Sequence, residues 1–597
     1  MDLHKFFSEL ERRKVYKAAI AYGISAWVIA QIAGLVSASF EFPSWVMKMI
    51  IILLIIGFIT TMILSWIFDI GPKGIERTER ESSDLSDEKK PITGKLVISF
   101  LILLSVFIGT GWWTWQELVV NNTKPIRNLV VLPFDNYTGS DDYEYFVAGM
   151  HSSLITDIGR ISELTVKSKT TANSYKETDL SVPEIASEIG IDAAVEGSIT
   201  CMGEDSICVQ IRLISAYPEE QQLWVEDYRI EKSEILNFYN KVTKTISNEI
   251  NIVLTPQEES LLAEARTVDP EAYDAYLKGQ YYWEKLNKES MEKALEYFEL
   301  AIEIDPEWAD PYAGLANAWN MFGIFFRVLP KSETVPKVYK YLNKALELDP
   351  NSAQAHYVKA INAVWAEFDW EQGEEEFLKS LKLNPNDALN RMYYAHLLMI
   401  LRRSDEAKNQ AKLALELDPL RPLVLGLYGV VMRNEGNIQS ATLHFEKALS
   451  IDPNFGFAKS NLANFHMHAA YENGEYEKWI ESWEKKVKGG GHWNDEGTAT
   501  VIKVFHEKGH IAAIEEMFKM NEKYGTDCWM SGSIKAERYL KLGEYDKVMD
   551  CLEKEYEKRD MSITYIATNK RLYHQLKDNP RYIELLRKMK LPLGDKQ

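Results

Sequence analysis

An apolar helix end followed at once by Asp-Pro or Asn-Pro recurs along the C-terminal half of this chain. The instances are AIEIDP ending at Pro306, ALELDP at Pro350, SLKLNP at Pro385, ALELDP at Pro419 and ALSIDP at Pro453. Proline fixes φ and has no N–H to donate, so it closes one helix and suits the first turn of the next. The last three intervals are 35, 34 and 34 residues, and the first, 44, holds an insertion around Arg327 to Thr334. A fixed period of this size builds a stack of short supersecondary units and excludes a single closed core.

Small residues keep the same register. Ten positions after the prolines stand Ala316, Ala360, Ala395, Gly429 and Ala463, and Gly279 takes the like place after Pro270. Ala294, Ala407 and Ala441, then Ala301, Ala345, Ala414 and Ala448, recur on the second helix of each unit. Only small side chains let two helices approach closely. The pattern resembles tetratricopeptide repeats, whose period is about 34 residues. Repeats are expected over 265–490, with degenerate repeats and a C-terminal cap over 491–597.

The long apolar runs lie at the other end. Ala18 to Ala38, Trp45 to Phe68 and Leu96 to Trp115 each reach the roughly 20 residues a membrane-crossing helix needs. The fold class expected is therefore membrane helices, a small α/β domain and an all-α repeat solenoid. A cleaved signal peptide, with Ser37-Ala38-Ser39 as its small-residue site, competes for the first run. The second span following at once, and the mixed charge of the N-region, oppose that. Lys48, just inside the second span, reads as a side chain that snorkels to the interface rather than a transport residue.

Lys5, Arg12, Arg13, Lys14 and Lys17 precede the first span, and Lys73, Arg77, Arg80, Lys89, Lys90 and Lys95 fill the loop 69–95, while Ser39 to Ser44 holds no basic residue. Basic loops stay cytoplasmic. This places residues 1–17 and 69–95 inside, three helices across 18–117, and everything after Trp115 in the periplasm of a bacterial inner membrane. Trp112, Trp113 and Trp115 would form the outer aromatic belt.

After a tether at 118–127, residues 128–255 alternate short β-rich runs with amphipathic helices. NLVVLPF and LTVKSKT read as strands, YFVAGMHSSLITDIGRI and Val182 to Gly190 as helices. AAVEGSITCM, SICVQIRLIS and QQLWVEDYRIE read as a meander, and Ser233 to Leu254 as a closing helix.

NLVVLPFDN, EYFVAGMHSSLITDI, LTVKSKTTANSYK, IDAAVEGSI and VQIRLI together resemble the TolB amino-terminal domain and FlgO-type domains. FFSELERRKVYKAAIAYGISAWVIAQIA and GFITTMILSWIFDIGPKGIERT resemble bacterial proteins that join membrane spans, this module and tetratricopeptide repeats. The resemblance covers nearly the whole chain and implies a cell-envelope protein. Some relatives carry a nucleotide-cyclase or winged-helix domain ahead of the module; here about 17 residues precede the first span.

Cys201 and Cys208 flank the turn Gly203 to Ser206, so hairpin pairing sets them opposite one another, either as a disulfide or as two small buried thiols. A zinc site is not expected from them. His506-Glu507-Lys508-Gly509-His510 matches HExxH, but Gly509 aligns with Gly436, where the chain turns between repeat helices, so the two histidines would not share a helix face. Asp141, Asp142 and Glu144 read as a solvated turn. There is no GxxxxGK loop and no GxSxG elbow. The expectation is a nonenzyme with no cofactor and no metal.

A net charge of −20 disfavours nucleic acid. First helices of such repeats line a concave groove, here Tyr273, Tyr276, Gln280, Asn317, Asn320, Tyr357, Trp365, His396, Met399, Arg433, Asn464, Met467 and His468. Aromatic, Met and amide side chains suit a peptide or protein partner, and equally suit packing within the solenoid. The expected function is an envelope scaffold that binds a protein or peptide. The alternative is a signal-transducing receptor or regulator related to cyclase- or transcription-linked repeat proteins. Oligomeric state is not legible.

Overall fold

The computed structural model describes residues 15–39, 44–71, 74–77, 125–217, 219–263, 265–285, 287–325, 329–490, 495–523, 532–569 and 574–593. The chain divides into two compact units, Met1–Glu117 and Leu118–Gln597.

In the first unit, helices Val15–Ser39 and Ser44–Ile67 pack together, and the Tyr22 hydroxyl donates to the Leu54 carbonyl at 2.8 Å. Among the described residues, Val15–Ala33 is long and apolar enough to cross a membrane, and Ile50–Met62 is a shorter apolar stretch. Ile24, Trp27, Ile52, Leu53 and Ile59 stand exposed on these helices, a patch that water disfavours. Strands β1 (Phe68–Gly71) and β2 (Gly74–Arg77) form a short antiparallel hairpin. The third span at Leu96 to Trp115, with its tryptophans and the basic stretch before it, lies outside the described residues.

The second unit opens with a sheet of β3 (Asn128–Val131), β4 (Asp135–Asn136), β5 (Thr165–Val166), β6 (Ala193–Met202), β7 (Ser206–Ser215) and β8 (Gln221–Glu231). The order is β5-β3-β6-β7-β8, with β4 also against β6; the β3 pairings are parallel and the meander is antiparallel. The Asp192 carboxylate accepts both the Arg127 and Asn128 amides, at 3.0 and 2.9 Å, and so fixes where β3 begins. Helices Glu144–Ile158 and Ile235–Glu249 cover the face carrying Leu129, Val131, Val195 and Ile211, and Val182–Ile189 covers Val130, Ala194 and Ile214 on the other. The second expected strand is cut short: Ser168 accepts from the Thr171 amide and starts a helix at Lys169. The closing helix ends at Glu249, and a capping box at Thr255 and Glu258 starts a new one at Pro256.

Six helix pairs follow among the described residues: Pro270–Trp283 with Lys288–Ile304, Ala309–Asn320 with Lys331–Leu348, Ala353–Asn362 with Trp370–Leu383, Ala388–Ile400 with Ser404–Leu417, Pro422–Asn434 with Ile438–Ile451, and Gly456–Glu472 with Tyr476–Gly490. The small positions are where partner helices touch. A Cβ on Gly279 would stand 2.6 Å from Phe298, and one on Gly429 2.9 Å from Phe445, so any larger residue would force the pair apart. A π-helical turn, Met321–Phe325, extends the first helix of the second pair, and a like turn, Ala363–Glu367, extends the third; residues 326–328 of the insertion lie outside the described residues. Helix Asp495–Lys523 is broken at Gly509, whose φ of 86° only glycine adopts freely, and a last pair, Gly532–Lys541 with Tyr545–Glu557, precedes the terminal helix Pro580–Lys588.

Sheet and repeats share one core within this unit. Phe146 and Phe238 of the α/β part pack in the same cluster as Tyr273, Phe298 and Trp308 of the repeats. Polar contacts lock the joint: the Ser168 amide donates to the Leu417 carbonyl at 3.0 Å, Lys167 Nζ to the Glu416 carbonyl at 2.7 Å, and Thr171 Oγ1 to Asp418 at 3.1 Å. Asn386 receives the Val166 amide at 3.0 Å and donates to the Gly159 carbonyl at 2.9 Å. Because the inter-repeat turns carry these partners, the α/β part is seated along the repeats rather than joined by a free linker.

Candidate protein-binding groove

Much of the face expected to be open is filled by the chain itself. Tyr273, Tyr276, Asn317, Asn320, Trp365, His396 and Met399 are all buried. The Tyr273 hydroxyl meets that of Tyr239 at 2.7 Å, and its ring lies 5.9 Å from Phe146, both in the α/β part. Tyr276 packs edge-on against Trp308 at 4.7 Å and is hydrogen-bonded by Gln280. Asn320 donates to the Val358 carbonyl of the next repeat at 3.2 Å. Tyr357 is half-buried among Phe377 and Tyr393. The expectation that these side chains face a free ligand is therefore corrected, because large aromatic surface is better covered by the neighbouring domain than left in water.

The C-terminal part fills the next stretch. Trp365 Nε1 donates to the Tyr565 hydroxyl at 3.2 Å, which lies 3.2 Å from His396 Nδ1, while His396 Nε2 lies 3.1 Å from the Leu427 carbonyl. Burial pushes His396 down to about 4, so the ring is neutral. One tautomer satisfies the whole chain: Nε2–H donates to Leu427 and Nδ1 accepts from Tyr565. Lys331 Nζ donates to the Trp365 carbonyl at 2.6 Å and also to that of Arg559. Arg402 Nε holds the Ala567 carbonyl at 2.9 Å, and Trp370 Nε1 the Met589 carbonyl at 2.6 Å. Sequence reasoning missed Tyr565, Lys331 and Arg402; the only trace was ITYIA, an apolar run outside the repeat register.

Gln280, Arg433, Asn464, Met467 and His468 remain partly exposed. The last three share helix Gly456–Glu472 with Asn461, which accepts from Arg433 Nη1 at 3.0 Å. Asn464 accepts from Lys486 Nζ at 2.6 Å, and His468 Nε2 lies 3.2 Å from Glu537. This helix therefore keeps polar side chains partly exposed beside charged neighbours, while Met467 packs against the core of Trp479 and Trp483 and Ala458 and Ala470 are buried.

The other motifs resolve simply. Gly509 interrupts the helix between His506 and His510, and His510 stacks on Tyr476 at 3.6 Å. Among the described residues no cluster of His, Cys, Asp and Glu is arranged to hold a metal. Cys201 and Cys208 are cross-strand partners joined by a disulfide, and burial pushes the Cys551 thiol up. Asp141 and Asp142 stand exposed in a turn capped by Ser140.

With this geometry in place, the chain can be set beside known proteins. A tetratricopeptide repeat family model matches residues 275–307. The protein named "Putative adenylate cyclase 3" of Rhizobium meliloti is 27% identical over 246 residues, 40% of this chain and 40% of that protein. "Transcriptional regulator HilA" of Salmonella typhimurium is 24% identical over 309 residues, 49% of this chain and 51% of that protein. The chain thus spans about half or less of the curated relatives it matches. Among solved structures, YrrB, described as a TPR protein with an unusual peptide-binding site, is 22% identical with a TM-score of 0.21, covering 32% of this chain and 91% of that one. Pseudomonas aeruginosa pilF is 22% identical with a TM-score of 0.28, covering 37% and 93%. The chain carries tetratricopeptide-type helical repeats, matched at residues 275–307, together with a small α/β domain.

Proposed function

We propose that this protein is a membrane-anchored, noncatalytic scaffold of a bacterial cell envelope that binds a protein or peptide partner on its repeats. The observation that carries the reading is the uneven groove: its first stretches are filled by the chain's own aromatic contacts, while helix Gly456–Glu472 keeps Asn464, Met467 and His468 partly open. Repeat folds bind through such helix faces. Anchoring draws support from the apolar helix Val15–Ser39 and its neighbour Ser44–Ile67. A periplasmic location draws support from the basic residues flanking those spans and from the Cys201–Cys208 disulfide, since such bonds persist in oxidising compartments. The resemblance to TolB and FlgO-type domains points the same way.

A second reading, a membrane receptor or regulator that transmits a signal, draws on the similarity to proteins named as an adenylate cyclase and a transcriptional regulator. Protease treatment of a C-terminal tag on sealed spheroplasts tests the location. Digestion without lysis is expected; protection until lysis would make the scaffold cytoplasmic.

A further inference from the structure

The segment that closes the middle of the groove is gripped by its main chain. Arg402 Nε donates to the Ala567 carbonyl at 2.9 Å and Lys331 Nζ to that of Arg559, while Arg559 Nη1 donates back to the Glu367 carbonyl at 3.0 Å. Tyr565 enters between Trp365 and His396 as an anchor, and Ile563 and Ile566 fill apolar space beside it. Carbonyls are common to every peptide, so this grip is general and the anchor supplies the sequence preference. The segment's own structure is a single 3₁₀ turn, Met561–Tyr565, so little internal bonding is lost when it leaves.

Backbone strain gathers at the same contact. Among the described residues six that are not glycine have a left-handed φ, and three of them, Phe368 at 62°, Arg402 at 58° and Arg559 at 51°, lie in it. Arg402 stands seventeen residues after Pro385, as Gly436, with a φ of 83°, stands seventeen after Pro419. The like turn of the next repeat thus uses glycine, for which this conformation costs little. At 402 the chain instead carries the guanidinium that holds Ala567, and at 368 a ring that stacks on Tyr556 with centroids 6.3 Å apart. Non-glycine residues in this conformation persist where their surroundings over-determine them, and they gather at ligand clamps and switches.

We propose that the middle groove, over residues 331–402, is a peptide-binding site that the chain's own residues 559–567 occupy in the free protein, and that its partner is a segment of like chemistry, a tyrosine flanked by aliphatic residues. This rests on the scaffold reading and adds a stretch of groove that opens by exchange. A tethered segment competes at a local concentration of about millimolar order, so a partner in trans displaces it by matching its contacts. Any weakening of the closure in cis then appears as an equal gain in affinity for the ligand in trans. A segment that served only as a cap would lose stability on mutation and gain no such affinity.

The test uses the full chain in detergent and a fluorescein-labelled peptide of residues 559–569, RDMSITYIATN, with the same peptide carrying alanine for its tyrosine as comparison. Wild type is expected to bind the parent peptide only near about millimolar concentration. Tyr565→Phe removes the hydroxyl contacts in cis and keeps the ring, and Tyr565→Ala removes the ring as well. Both chains are expected to bind the parent peptide about tenfold tighter than wild type or more, the worth of the hydrogen bonds lost in cis. The alanine peptide is expected to stay about tenfold weaker than the parent on every chain. A photoreactive group at the peptide's Thr568 position is expected to label residues 353–434 of Tyr565→Phe. If Tyr565→Ala does not fold, Tyr565→Phe, checked by circular dichroism, decides. Equal affinity of wild type and folded Tyr565→Phe, an alanine peptide that binds as well as the parent, or label outside 353–434 would overturn the proposal. A failed exchange beside a crosslinked adduct from Met467 in cells would sink this site and leave the scaffold standing. Failure of both would count against the scaffold itself.

Discussion

The indole Nε1 of Trp365 donates to the hydroxyl of Tyr565 at 3.2 Å across 200 residues of sequence, so the C-terminal segment closes over the middle repeats. The same hydroxyl faces His396 Nδ1. Tyr565→Phe would leave both the indole N–H and the imidazole nitrogen without a partner, a loss of about 2 kcal/mol. Tyr565→Ala would remove the ring as well, for a loss of about 3–4 kcal/mol. Hydrogen exchange reads the effect: amides of Ala353–Asn362 and Ala388–Ile400 are expected to lose protection, those of the sheet to keep theirs. Unchanged exchange in those helices would show that the closure contributes nothing to their stability.

Acid should weaken the protein through two buried histidines. Burial holds His151, whose Nε2 lies 2.8 Å from the Val131 carbonyl, and His396 each down to about 4. The unfolded chain takes up those protons near pH 6.5, the folded one only near 4. Their stabilising contribution is therefore complete above 6.5 and falls as pH drops from there toward 4, by about 1.4 kcal/mol per unit per histidine. His151→Gln or His396→Gln is expected to flatten the decline between pH 6.5 and 5, measured by denaturant melts. An unchanged slope in both variants would contradict the burial argument.

Asp310 acts with the opposite sign. Burial pushes its carboxyl up to about 6, against a relieving charge from Arg160 and a hydrogen bond from Trp308 Nε1 at 3.2 Å. The folded state then holds a proton that the unfolded state has lost, so the penalty is complete above pH 6 and fades as pH falls through 6 toward 4. Asp310→Asn keeps an acceptor for Trp308 and is expected to stabilise the protein at pH 8 by about 1–2 kcal/mol. At pH 4 the gain should vanish. A gain that persists at pH 4 would exclude ionisation as its source.

The joint between sheet and repeats turns on Asn386, which accepts the Val166 amide and donates to the Gly159 carbonyl. Asn386→Ala leaves two backbone groups unpaired and should cost about 2–3 kcal/mol. The loss should register as earlier opening of the α/β part, seen by limited proteolysis within 159–168. Equal proteolysis of variant and parent would mean the aromatic core alone carries the docking.

Reducing the Cys201–Cys208 disulfide frees a hairpin end closed over a sequence separation of 7. The short loop limits the effect to about 2–2.5 kcal/mol. Intact-mass analysis after alkylation without reductant is expected to leave both cysteines unmodified.

The array was legible because repetition averages out local ambiguity: one Asp-Pro is a turn, but five in phase are a solenoid. The meander was legible too, since Cys201 and Cys208 sit on either side of an obvious turn. The occupancy of the groove was not. Tyr273 and Trp365 have the spacing of ligand-facing residues, and nothing local tells whether Phe146 and Tyr565, far along the chain, will arrive to cover them. Ser168 misled for a similar reason, its cap outweighing the β-rich run around it.

The most direct measurement places a photocrosslinking amino acid at Met467 in cells, with the same group at Leu443, 60% exposed on Ile438–Ile451, as comparison. A scaffold that binds through the open stretch of its groove yields a discrete adduct from position 467 and none from 443. An adduct from 443 alone, or none from 467, would contradict it.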